Sequence, residues 1–159
     1  MNRELNIIIG ITSLWCFGII AAPLYAGSVF SDVLYKSYST ICHQFISRSF
    51  FINGEPFTVC IRCTSIYCAF LTALIALRIW PRLRNMQWNT SLLIAVASFP
   101  MLADGMLSLF GISEATSLSR LLTGSIFGAG MALLLQNVLC ETIRSIILGL
   151  SHRYEPETR

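Results

Sequence analysis

The sequence predicts an all-α integral membrane bundle of four transmembrane helices, with one interfacial amphipathic helix and a short cysteine-rich loop. Three observations carry that expectation. The 159 residues are 55% hydrophobic and 12% charged, where a soluble domain carries roughly 25% charge. Four apolar stretches each approach the ~20 residues that a helix needs to cross about 30 Å of hydrocarbon. Between the first two lies "ICHQFISRSFFINGEPFTVCIRCTSIY", residues 41–67, which gathers three of the six cysteines and one of the two histidines.

The first span, residues 5–26, contains no charge. Its apolar core is longer than the roughly 7–15 residues of a secretory signal, and its leading charge is Arg3 beside Glu4. An uncleaved span is therefore expected, although "APLYAG" resembles a small-residue cleavage site. The second span covers residues 62–80, the third 91–111, interrupted by Pro100 and Asp104, and the fourth 120–140. Past it, Leu139, Ile143, Ile146 and Leu150 recur at helical spacing with Glu141, Arg144 and Ser145 opposite, as in an amphipathic continuation at the membrane surface. "SHRYEPETR" reads as a solvated tail. Residues 1–159 form one domain.

Between the first two spans, Phe30, Leu34, Tyr38, Ile41 and Phe45 predict an amphipathic helix over residues 30–46. It is too short and polar to span, and Ser31 or Asp32 falls near its N-cap. Asn53-Gly54 marks a tight turn, with residues 50–52 facing residues 57–59 in a small hairpin that Pro56 limits. Gly124 and Gly128, and Ala69 and Ala73, are small residues four apart, suited to close helix packing within the bundle.

The positive-inside rule sets the expected orientation. Arg3, Arg78, Arg82, Arg84, Arg144, Arg153 and Arg159 fall on one side, and Lys36, Arg48, Arg62 and Arg120 on the other. That puts both termini in the cytoplasm and the cysteine-rich loop on the outer face of the cell membrane. A net charge of +3 spread over membrane-flanking loops leaves no basic stripe for nucleic acid. The bilayer is the partner that the composition implies, and oligomeric state is not encoded in any recognisable pattern.

A helix that has begun by Cys60 puts Cys60, Cys63 and Tyr67 on one face. The helix N-terminus and Arg62 then both favour thiolates. Ionised thiols have two natural uses. With Cys42 or His43, Cys60-x-x-Cys63 has the spacing of a site for zinc or another transition metal. Adjacent side chains on a helix diverge by about 100°, so one of Cys42 and His43 stands back and the metal keeps an open position. Alternatively, Cys60 and Cys63 cycle between dithiol and disulfide. That arrangement resembles quinone-linked thiol oxidases such as the disulfide-bond formation membrane proteins, with quinone as cofactor, although the loop between the third and fourth spans has no cysteine. A structural disulfide accounts for two thiols and leaves His43, Arg48 and Arg62 unexplained. Cys16, Cys68 and Cys140 read as small buried hydrophobes.

Asp104 lies inside the third span, where an ionised carboxylate costs about 2.5–3.5 kcal/mol on insertion scales. Pro100 frees a backbone carbonyl nearby, so a locally opened helix is expected there. Counting along the helix puts Asp104 and Arg120 in the same half of the membrane as Cys42, His43, Arg48, Cys60, Arg62 and Cys63, where Asp104 and Arg120 could pair. Ionisable residues from separate segments converging in one half-bundle mark a polar site. The arginines suit an anion such as a lipid phosphate.

Cys42-His43-Gln44, Arg48, Cys60-x-Arg62-Cys63 with Tyr67, Pro100, Asp104-Gly105 and Arg120-x-x-Thr123-Gly124 together resemble a family of small predicted membrane proteins of bacteria and archaea, catalogued as a domain of unknown function. The resemblance covers residues 40–130 and implies that these Cys, His, Arg and Asp positions are its signature. Ser108 and Ser117 depart from its pattern, which has glutamine and asparagine there. The family name supplies no activity. The residues themselves point to a Cys/His metal site, with zinc as the expected ion, beside Asp104, Arg48, Arg62 and Arg120, acting on an anionic or lipid-linked substrate. The quinone-linked oxidoreductase is the alternative, and a non-enzymatic metal-binding or transport accessory protein a further one.

Overall fold

Uniformly apolar segments become helices in hydrocarbon because every backbone N–H and C=O must be satisfied within the segment. The computed structural model describes residues 2–84, 86, 89–110 and 116–153. In chain order it contains α1 (Asn2–Leu24), a short α2 (Val29–Tyr38), a 3-10 turn (Ile46–Arg48), β1 (Ser49–Ile52), β2 (Glu55–Cys60), α3 (Ile61–Ile79), a single turn α4 (Pro81–Arg84), α5 (Thr90–Leu109) and α6 (Ser117–Arg153). Four of these, α1, α3, α5 and α6, are long and apolar enough to cross a membrane. Residues 154–159 of the C-terminal tail, and Gly111 with the first part of the connection between the third and fourth spans, lie outside the described residues.

Small side chains set the packing. A Cβ on Gly124 would collide with Ser65 Oγ and sit 2.8 Å from the Arg62 carbonyl oxygen, and one on Gly128 would collide with the Ile66 carbonyl. These two glycines let α6 lie backbone to backbone on α3, as the small-residue spacing predicts. Gly130 does the same for α5, where an added Cβ would stand 2.5 Å from Ala97 Cβ. α1 completes the bundle through two buried clusters. Leu5, Ile8, Leu74, Ala132 and Cys140 close one end, and Ile19, Tyr38, Cys42 and Val59 close the other, under the cysteine-rich segment. Because the Ile66 backbone cannot yield, Gly128→Ala is expected to cost about 1–3 kcal/mol by overpacking, read as a lowered unfolding midpoint in mild detergent, whereas Gly10→Ala, which meets no atom within 4 Å, is not.

Two sequence expectations change. α2 ends at Tyr38 and not near residue 46, and its N-cap is Ser28, whose Oγ accepts from the Ser31 N–H at 3.2 Å. The hydroxyls of Ser39 and Thr40 donate to the carbonyls of Lys36 and Ser37, and such local bonds compete with helix continuation. Second, α5 runs unbroken through Pro100 to Leu109, so the helix does not open around Asp104. α6 runs as one helix from Ser117 to Arg153, so the amphipathic residues past Cys140 continue the fourth span.

Candidate metal centre

The hairpin delivers the thiols. Asn53 and Gly54 both take positive φ, 53° and 85°, the conformation that a two-residue type I′ turn demands. β1 and β2 pair antiparallel with Ile52 opposite Glu55, Phe51 opposite Pro56 and Ser49 opposite Cys60. The register shifts between Ser49 and Phe51, next to the proline that brings no N–H to the ladder. Gln44, also at positive φ, 51°, donates its side-chain amide to the carbonyls of Tyr35 and Thr58, both at 2.8 Å. The Tyr35 hydroxyl in turn donates to the Pro56 carbonyl. These bonds clamp the loop after α2 onto β2 and press Cys42 against Cys60, whose backbone N–H donates to Cys42 Sγ at 3.3 Å.

Cys60 occupies the N-cap of α3 and Cys63 its third residue. The sulfurs of Cys42, Cys60 and Cys63 all lie within 4.8 Å of one another, with Cys42 buried and the other two half-buried. Tetrahedral zinc at about 2.3 Å from each sulfur would hold them about 3.8 Å apart, so a small contraction closes the triangle on an ion. The Cys60 thiol is pulled down to about 5, first by its hydrogen bond with the Cys63 thiol and then by backbone amides at the helix start and the Cys42 thiol, against desolvation. A thiolate is the form a metal takes. The donor set therefore fits a soft divalent ion.

His43 stands outside that triangle. Its ring is exposed and stacks on Phe45 at 5.9 Å between centroids and 4° between planes. Cys42, not its neighbour, takes the position that the two competed for. Arg48 also packs on Phe45, with its guanidinium carbon 5.4 Å from the ring centroid.

Beside the sulfurs opens a cavity of about 480 Å³ whose wall includes Cys42, His43, Cys60 and Cys63 together with Arg48, Arg62 and Arg120. Asp104 forms its ion pair with Arg62, and accepts from the Ser119 hydroxyl with its other oxygen. The expected Asp104 partner, Arg120, is absent from that pair. Among the described residues its Nε is buried without a hydrogen-bond partner, as is the Nε of Arg62. Ser65 ties α3 to the start of α6 by donating to the Arg62 carbonyl at 2.8 Å and lying 3.4 Å from the Arg120 carbonyl. Ser119, Ser65 and the clamping role of Gln44 carried no signal that sequence reasoning could use, since each depends on a contact distant in the chain.

Cys16 and Cys140 are buried, as expected of small hydrophobes, but Cys68 is exposed on α3. Cys16 and Cys68 are hydrogen-bonded to each other and are not part of the triangle.

A protein of Methanocaldococcus jannaschii described as uncharacterised is 38% identical over 98 residues, 62% of this chain and 63% of that relative. The chain thus spans less than two thirds of its length. A second uncharacterised protein, from Methanothermobacter thermautotrophicus, is 34% identical over 110 residues, 69% of this chain and 93% of its own. No solved structure matches. The segment that carries the sulfur triangle, the Arg62–Asp104 pair and Arg120 falls inside the match to the family described as "Predicted membrane protein (DUF2085)", which covers residues 42–134, and to that family the chain belongs.

Proposed function

We propose that Cys42, Cys60 and Cys63 hold a zinc ion, and that Arg48, Arg62 and Arg120 bind an anionic, phosphate-bearing substrate next to it. The observation that carries this reading is the shared cavity: three mutually close sulfurs and three guanidinium groups on one wall. Charge supports it. Three thiolates with a divalent ion carry one negative charge and Asp104 a second, against three arginines, which leaves one positive charge for a substrate anion to neutralise. The buried Nε of Arg120 lacks a protein acceptor, and a phosphate oxygen would supply one.

When bound, zinc would supply Lewis-acid polarisation of a water or head-group oxygen. The chain's own residues bind and orient. Asp104, held by Arg62 and Ser119, positions the Arg62 guanidinium toward the cavity. Arg120 and Arg48 receive the anion, and His43 on the cavity wall is the group we assign to proton exchange. The same reading sets the centre at the outer end of the bundle, with both termini in the cytoplasm, on the distribution of arginines.

Elemental analysis by plasma mass spectrometry on full-length protein purified without chelator or added metal tests the centre, with a thiol count on the same sample. Near-stoichiometric zinc that disappears in Cys60→Ser is the expected result. Absence of metal, with two thiols freed only by reduction, would overturn it in favour of the quinone-linked dithiol reading. That alternative draws support from the Cys60–Cys63 hydrogen bond and has Cys42 exchange with the pair, whereas a metal holds all three sulfurs at once.

A further inference from the structure

The polar cavity does not end at the arginines. Met101, Gly105 and Leu109 on α5 line both it and a second cavity of about 460 Å³, whose remaining wall is Ser98, Leu102, Met106 and Phe127. The second cavity is apolar apart from Ser98. It runs along α5 on the side where Leu102, Met106 and Leu109 are exposed, so it opens laterally. A charged chamber thus continues into an apolar groove on a membrane-crossing helix.

From this juxtaposition we infer that the substrate is an amphiphile: a phosphate head group at Arg48, Arg62 and Arg120, and a hydrocarbon chain lying in the α5 groove, entering sideways from the bilayer. The inference rests on the proposed anion site and adds the chain to it. Charge complementarity fixes the polar end, because three arginines line that cavity and Arg120 Nε is buried with no partner among the described residues. Continuity fixes the apolar end, because a soluble phosphate would use the first cavity and leave the second unoccupied. Gly105 sits at the passage between the two. A Cβ added there meets no atom within 4 Å, so the absence of a side chain serves the passage and not helix packing.

That last point supplies the test. Gly105→Leu should fold normally, since leucine improves on glycine within a helix and has open space, yet it fills the passage. Binding to the full chain in dodecyl maltoside is measured for three probes: a 14-carbon lysophosphatidic acid, glycerol 3-phosphate, and the monoacylglycerol of the same chain length. The expected result is that the lysophosphatidic acid binds at least tenfold more tightly than either half-molecule. Gly105→Leu should weaken it at least tenfold while leaving glycerol 3-phosphate within twofold, with an unchanged unfolding midpoint. Chains of increasing length should bind progressively tighter to the unaltered protein until the groove is filled. Equal binding of glycerol 3-phosphate and lysophosphatidic acid, or indifference of the amphiphile to Gly105→Leu, overturns the inference. Zinc content on the same samples separates the two claims. Metal without amphiphile preference overturns only the chain site, and amphiphile preference without metal overturns only the zinc centre.

Discussion

Asp104→Ala is expected to destabilise the protein by about 3–5 kcal/mol, the usual cost of removing one partner of a buried ion pair and leaving the other charge unpaired. The side chains of Arg62 and Asp104 are only 24% and 12% exposed, so water replaces the carboxylate poorly. The loss also strips the Ser119 hydroxyl of its acceptor and leaves Arg48, Arg62 and Arg120 with no counter-charge from α5. The double variant Arg62→Leu/Asp104→Leu should regain most of that stability, because an apolar pair of similar volume replaces a buried ion pair at little or no cost. Unfolding midpoints in detergent decide it. If single and double variants fall equally, Asp104 acts through something other than Arg62. The double variant should nevertheless fail to bind phosphate-bearing probes, which separates the stability of the pair from its use.

The second large effect is at the sulfurs. Cys60→Ser or Cys63→Ser should lower zinc affinity by more than the 10–100-fold typical of losing an outer-shell partner, since each removes a direct ligand. Proton counting gives a finer readout. Metal binding displaces thiol protons, but Cys60, pulled from the ordinary 9.0 to about 5, has already lost its own at pH 7. Zinc added to the metal-free, reduced protein at pH 7 should therefore release fewer than three protons, and the number should rise as the pH is lowered toward 5. By the same sign, Cys60 in the metal-free protein should react with iodoacetamide readily at pH 7 and lose reactivity as the pH falls through about 5, because only the thiolate attacks. A Cys16→Ser/Cys68→Ser background removes the other hydrogen-bonded thiol pair from the count. Release of three protons at pH 7 would show that the Cys60 thiol is not ionised.

Much of this architecture was legible in the chain, and the reasons for the remainder are specific. The spans follow from apolar runs of membrane length, which need no partner to be read. Asn53-Gly54 announces its turn because both residues tolerate positive φ, and the meeting of Cys42 with Cys60 and Cys63 follows once that turn is placed. The end of α2 was not legible, because Ile41 and Phe45 keep helical spacing while Gln44 is held by carbonyls 9 and 14 residues away. Nor was the choice of Arg62 over Arg120 as the partner of Asp104. That choice depends on how α3 and α5 are rotated about α6, which the contacts at Gly124, Gly128 and Gly130 determine. His43 and Cys42 are neighbours of equal standing in sequence, and only the clamp on the loop decides which one faces the other sulfurs.

The hairpin has a further consequence for how this segment can vary. Cys42 and Cys60 are 18 residues apart, and from Ser49 onward the intervening chain is not a slack tether but a paired two-stranded ribbon. Lengthening both strands by one residue keeps Ser49 opposite Cys60 and the sulfur on its present face. A single insertion between Gly54 and Cys60 that the ribbon does not absorb as a further bulge turns that sulfur to the opposite face and takes it out of the triangle. Paired changes on both strands are the ones this loop should tolerate: what positions the ligand is the register of the ribbon and not its length.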